Sequence, residues 1–248
     1  GNDMGFFKYA ISGSIRKLGF QNPSTSCSGY SAVLVAYAGD ELIDSCYATA
    51  SSDITLNFSC GGACAAIVGR VMEYSEVHVN NCHNSCNIKN KSHGYTGGVV
   101  GNAHDKGSHL YMYNCYNTGK IVYAGKGSWI GVGGVFGGIW NNNEGATTKL
   151  DFCYNTGKIE ATNGFVGGVM GEGRNSGGNV ISYCMNTGDV IVDGHPGDWN
   201  TTGGVVGDYS GATAKYCFNT GKVLLSCTGT QDHRVAGVIL QRCEHSAN

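Results

Sequence analysis

Two acidic residues, Glu172 and Asp208, each follow the last glycine of a short run, Gly167-Gly168-Val169-Met170-Gly171 and Gly203-Gly204-Val205-Val206-Gly207. If these runs occupy equivalent places on neighbouring turns of a coil, the carboxylates stack about 5 Å apart. Such a pair could bind calcium, or serve as acid and base on a polysaccharide. The corresponding positions after the other runs carry Arg70, Asn102 and Gly138, which would leave a shallow, lopsided site with Arg70 and Arg174 as its nearby arginines. The plainer reading is a pair of turn residues, and no catalytic residue is assigned.

Cys82, His83, Cys86 and His93 suggest a zinc site, but Cys-x3-Cys-x6-His lacks the second tight ligand pair of such sites. No metal or cofactor is assigned. His78, His104, His109, His195, His233 and His245 have no serine or cysteine at a recognisable catalytic spacing and are expected in surface loops. A better candidate for ligand binding is aromatic. Tyr95, Trp129, Phe165 and Trp199 each lie shortly before, or within two residues of, a Gly-Gly run. Projecting along one edge, they could stack sugars or anchor a protein; alternatively they close gaps beneath long loops. Polar insertions at Asn102–His109, Asn141–Thr148 and Glu172–Asn179 are expected to cluster on one side.

What would position these side chains is a repeat. Cys115-Tyr116-Asn117-Thr118-Gly119-Lys120-Ile121 returns as Cys153-Tyr154-Asn155-Thr156-Gly157-Lys158-Ile159, then from Cys184 to Val190 and from Cys217 to Val223. Worn copies start at Cys82 and Cys46. Between copies runs Gly97-Gly98-Val99-Val100-Gly101, repeated at Gly133, Gly167 and Gly203. Cys46, Cys82, Cys115, Cys153, Cys184 and Cys217 are separated by 36, 33, 38, 31 and 33 residues. A residue type recurring once per unit belongs to a packing column, so these six are expected as buried free thiols. Parallel neighbours in a ladder point the same way, which is poor disulfide geometry. Cys27, Cys60, Cys64, Cys86 and Cys227 lie off the column, with Cys60–Cys64 and Cys64–Cys86 as candidate pairs. The column Asn84, Asn117, Asn155, Asn186 and Asn219 is expected to bond along the axis through its amides.

Three residues before the column cysteine stand Ile43, Val79, Met112, Leu150, Ile181 and Ala214, all apolar. A step of three cannot keep one face of a straight strand, so a bend is expected near Asn81, Asn114, Phe152, Tyr183 and Tyr216. Gly119, Gly157, Gly188 and Gly221 are expected at a second corner, with positive φ. Gly is 41 of 248 residues and Pro only 2, a pairing that fits neither disorder nor collagen. Three short strands in about 33 residues make one turn of a parallel β-helix, right-handed by the general crossover preference. About seven coils are expected, giving an all-β solenoid about 35 Å long. A single domain spans 1–248: a cap and first coil over 1–30, the repeats over 31–240, and an incomplete end at 241–248. In the first coil, Leu18 replaces the cysteine and residues 1–12 shield the open edge.

A net charge of −2 gives no case for nucleic acid. No apolar run approaches the roughly 20 residues of a membrane span. The chain opens at Gly1-Asn2-Asp3 without a signal peptide, as expected of a piece trimmed from a longer precursor.

The paired signatures, Gly-Gly-Val-Val-Gly and apolar-x-x-Cys-Tyr-Asn-Thr-Gly-x-Ile, resemble the GLUG motif of bacterial cell-surface proteins. GLUG repeats occur in adhesin-like proteins of gut and oral bacteria and beside peptidase modules of immunoglobulin A-cleaving enzymes. The resemblance implies a non-enzymatic, extracellular, surface-displayed segment that meets a glycan or surface protein, or serves as a spacer. It carries over no catalytic residue. The alternative is a polysaccharide-active β-helix enzyme using Glu172 and Asp208.

Overall fold

The computed structural model describes residues 2–51, 54–103, 106–126, 129–139, 145–173, 178–194, 199–208, 213–227 and 233–238. Residues 87–117 show how one repeat becomes one turn. They form five short strands, Asn87–Asn90, Tyr95–Gly97, Val100–Ala103, His109–Tyr113 and Tyr116–Asn117. Each lies parallel to its counterpart one repeat on. Ile88, Ile121, Ile159, Val190 and Val223 thus become one column, as do Ile43, Val79, Met112, Leu150, Ile181 and Ala214. The chain is a β-solenoid of four parallel sheets, with no helix among the described residues. Three sheets hold seven strands each, so six complete turns separate the first strand of such a sheet from its last. The fourth holds twelve, because Val35–Asp44 is continuous and pairs with two strands of the next coil, Val68–Val71 and Glu76–Asn80.

Five segments per turn, rather than three, follow from two breaks. The Gly-Gly run is an arch, folding Tyr95–Gly97 against Val100–Ala103. A methyl on Gly101 would sit 3.0 Å from the Cys64 backbone, so that position tolerates no side chain. The second break is the bend before each column cysteine. Asn81, Asn114, Phe152, Tyr183 and Tyr216 all have φ between 51° and 55°, the left-handed region that side chains disfavour. One such residue turns the strand through the corner and lets both the apolar residue and the cysteine face inward.

The glycines at the other corner have a different reason to exist. Gly119, Gly157, Gly188 and Gly221 do not adopt positive φ. A Cβ on any of them would strike the backbone one coil below, that of Cys86, Gly119, Gly157 and Gly188 respectively. Axial stacking, not turn conformation, excludes a side chain here.

Inside, the column cysteines are free, and Cys46, Cys82, Cys115, Cys153 and Cys184 are wholly buried. Each thiol donates to carbonyls: Cys115 Sγ lies 3.1 Å from Val79 O of the coil below, and Cys184 Sγ 3.3 Å from Ser182 O. Beside them runs the amide ladder. Nδ2 of Asn84, Asn117, Asn155 and Asn186 donates to Oδ1 of the next asparagine at 2.7–2.8 Å. It also donates to the carbonyl two residues on, so buried polar atoms are satisfied in both directions.

At the N-terminal end, Ile15 pairs with Ile43 and Gly19 with Tyr47, which places Leu18 in the cysteine column. The residues expected to shield the first edge instead form it. Phe7–Arg16 is the outermost strand, and Phe6, Tyr9 and Ile11 are 65%, 54% and 56% exposed. The strand stays in register with Val35–Asp44 on both sides of Ser12, whose left-handed φ of 61° is matched by that of Asp40, so it follows the sheet instead of crossing its edge. Residues 241–248 lie outside the described residues.

Candidate functional site

Glu172 and Asp208 are paired in register on adjacent coils, below them Gly138, Asn102 and Arg70. Both carboxylates are buried, at 0% and 1% exposure. Glu172 Oε2 accepts a hydrogen bond from the Tyr95 hydroxyl at 2.7 Å, across 77 residues of chain. The coil between them makes this reach possible. Its contributions are Gly131 and Gly138, and a methyl on either would approach Glu172 Cβ to 2.9 Å. The acid therefore fills a glycine-lined gap from one side and the tyrosine meets it from the other. Arg70 does not join them; its guanidinium sits 4.4 Å over the ring of Tyr30. Arg174 lies outside the described residues. Through its bond with Tyr95, Glu172 links its own coil to that of the tyrosine across the one between them.

The four aromatic candidates divide. Tyr95 and Phe165 are buried, at 7% and 1% exposure. Trp129, 37% exposed, stacks on the half-buried Trp199 with centroids 5.5 Å apart and planes 29° apart. Gly131, Phe165 and Thr201 are consecutive in register, so the two indoles belong to alternate coils and lean together over the coil between them. Phe165 supports Trp129 edge-on at 5.8 Å. Of the polar insertions, residues 104–105, 141–144 and 174–177 lie outside the described residues.

Two further aromatic rows flank the cysteine column on the outer surface. Immediately before the cysteine, Phe152, Tyr183 and Tyr216 stack at centroid distances of 4.9 Å, with planes 6° and 18° apart. They are 46%, 49% and 72% exposed. The row continues downward as Asn114 and Asn81, which are hydrogen-bonded to each other, and Asn81 donates onward to Asp44, beside the row. Immediately after the cysteine, Tyr47, His83, Tyr116 and Tyr154 stack at 5.2, 4.7 and 4.7 Å. Met185 and Phe218 extend that row in register. Burial holds the His83 imidazole below its usual range and pushes the Tyr154 phenol up. The repeat carries a signal for both rows, as ring-bearing positions on either side of the cysteine. The need for a bend and the recurrence of the motif account for those positions without showing that they share a surface.

Among the described residues no group of three His, Cys, Asp or Glu side chains is placed to hold a metal. Cys82 is in the buried column, His83 in the ring stack, and His93 on the surface. His78 bonds Glu76 at 2.8 Å and stacks on Tyr111, while His109 Nδ1 contacts Thr147 Oγ1 at 2.8 Å. His233 begins a strand; His104, His195 and His245 lie outside the described residues. Off the column, Cys27, Cys60, Cys64 and Cys86 are also free, and Cys27 Sγ lies 3.6 Å from Cys60 Sγ. A shallow hollow of about 270 Å³ lies elsewhere, between Tyr123, Glu160, Thr162 and Asp193. Glu160 there is tied to Lys120 and Lys158 at 2.8 and 2.7 Å, which holds its carboxyl below the usual range.

No family model matches the chain, and no curated protein matches it. Among solved structures it is similar to a protein of Bacteroides ovatus proposed to be an immunoglobulin A1 protease. The TM-score is 0.54 and the identity 20%, over 95% of this chain and 67% of that one. At that identity, the likeness is one of fold: a β-solenoid.

Proposed function

We propose that this chain is a non-enzymatic, extracellular repeat domain of a bacterial surface protein, presenting stacked aromatic rows to a glycan or a surface protein. The observation that carries the reading is where the rings stand. Phe152, Tyr183 and Tyr216 occupy left-handed backbone positions that cost a bulky residue about 1 kcal/mol. Asparagine or glycine would suit that conformation better, and asparagine fills it at 81 and 114. The rings nevertheless stand exposed and aligned face against face, a geometry that turns a ladder of ring edges and the Tyr183 and Tyr216 hydroxyls outward. The resemblance to GLUG repeats agrees with surface display. A right-handed coil of about seven turns, counting the ends, belongs to the same reading.

The rival reading is a polysaccharide-active enzyme using Glu172 and Asp208, favoured by their stacking on adjacent coils. Their burial weighs against it. A panel of pectins, host glycans and matrix proteins separates the two. The binding reading expects retention of the domain on some member with no reducing-sugar or unsaturated product. Product release that disappears in Glu172→Gln would overturn it.

A further inference from the structure

Cys27 and Cys60 stand apart from the other described cysteines in the way they meet. Column thiols are in register, each against carbonyls of the coil below. Cys27, by contrast, is in register with Phe58, so Cys60 lies two residues further along the next coil. That diagonal offset lets the two side chains converge, and their sulfurs lie 3.6 Å apart. The backbone around them is already tied, since Ser59 N donates to Cys27 O at 3.0 Å and Gly61 N to Ser28 O at 3.2 Å. A disulfide needs its sulfurs about 2.0 Å apart, so the two must close by about 1.6 Å from their present 3.6 Å. Cys64 is the third thiol nearby, and it contacts Thr96 Oγ1 at 3.7 Å.

We propose that Cys27 and Cys60 are the site of a disulfide cross-link that staples the first coils of the solenoid, formed by exchange with a small-molecule disulfide. The Cys27 thiolate attacks one sulfur of the small disulfide and expels its partner as a thiolate. The Cys60 thiolate then attacks Cys27 Sγ and expels the second small thiolate. The two protein protons end on the two released thiols, and the small disulfide is reduced by the two electrons the protein loses. Cys27 is the residue to react first, being 8% exposed where Cys60 is 0%. It lies on a two-residue strand near the open end, where local opening requires least. Contact with Cys60 and burial raise the Cys27 thiol well above its ordinary value, so exchange in the folded chain is slow and quickens at alkaline pH. The link would close 33 residues, fastening the edge where Phe7–Arg16 lies exposed.

The test is to incubate the reduced, folded 248-residue chain with oxidised glutathione at mildly alkaline pH, quench with an alkylating agent, and map the peptides. The expected result is a Cys27–Cys60 linked peptide as the main product, with a higher denaturation midpoint for the linked chain. In Cys60→Ala, Cys27 should stop at the mixed disulfide with glutathione. Should that variant fail to fold, the peptide map of the parent chain decides the matter alone. Both thiols remaining free, Cys60 joined instead to Cys64, or a link that leaves the midpoint unchanged would each overturn the proposal.

Discussion

Gly134 lies against Asn155: a methyl built on the glycine would stand 2.5 Å from the asparagine Cγ. The same contact joins Gly98 to Asn117 at 2.7 Å and Gly204 to Asn219 at 2.5 Å, and Gly168 to Asn186 more closely still. The two sequence signatures are therefore halves of one packing unit. The amide ladder leaves no room for a side chain on the arch, and the arch shuts the ladder away from water.

Gly134→Ala is expected to destabilise the chain by at least about 1–3 kcal/mol, the usual range for overpacking. The added Cβ meets the Gly168 carbonyl as well as Asn155, and a backbone atom cannot rotate aside. Urea denaturation followed by circular dichroism reads the shift. A midpoint equal to the parent's would mean that the arch relaxes freely.

Asn155→Ala removes both bonds donated by Nδ2 and the acceptor that Asn117 uses. Asn117 Nδ2 keeps only the Gly119 carbonyl, Asn186 Oδ1 only the Gly188 amide, and the Gly157 carbonyl loses its side-chain donor, at an expected loss of about 1–3 kcal/mol. Combined with Gly134→Ala, the losses should fail to add, since the two residues touch. Simple additivity in the double variant would count against a shared packing unit.

Phe152→Asn, Tyr183→Asn and Tyr216→Asn together should leave stability within about 1 kcal/mol of the parent. Relief of three left-handed aromatic positions offsets the loss of two ring stacks worth about 0.5–1.5 kcal/mol each. A collapse in stability would make the row a structural ladder and nothing more.

Glu41 is 5% exposed, and burial raises its carboxyl above the ordinary range against an opposing hydrogen bond from Gly13. A raised folded-state value means that folding favours the protonated form. Its contribution is then fully present below the unfolded value near 4.5 and is lost as pH rises through the folded value. Glu41→Gln should consequently gain stability relative to the parent at neutral pH and lose that advantage in acid. Parallel stability–pH curves for the two proteins would contradict this.

Cys115 and Cys153 are wholly buried, and burial foremost raises both thiols well above their ordinary value. Burial of this kind suppresses the reactive thiolate, and the effect belongs to the fold, not to the residues. Alkylation by iodoacetamide should spare both in the native chain and reach them only after denaturation. Native labelling as fast as that of an exposed thiol would refute the buried column.

Much of the architecture was legible because a solenoid writes each contact several times over. The cysteine and asparagine columns, and the bend before each cysteine, could be read from one unit and checked against the next. What escaped was set by contacts between coils. The stacking reason for Gly119 and its equivalents depends on a carbonyl one turn below, about 33 residues away in sequence. The burial of Tyr95 depends on Glu172, two coils on, and on glycines at 131 and 138 that leave a gap. Position in a repeat specifies which residues align; it does not specify which side chain reaches past its neighbour.

The most direct measurement compares binding to the glycan and matrix-protein panel for the parent chain, the Phe152→Asn/Tyr183→Asn/Tyr216→Asn variant and a Trp129→Ala/Trp199→Ala variant. The account predicts a specific ligand for the parent chain, weakened at least about tenfold, or 1.4 kcal/mol, in the folded row variant. Equal binding by the parent and the row variant, or no ligand for any of the three, would contradict it.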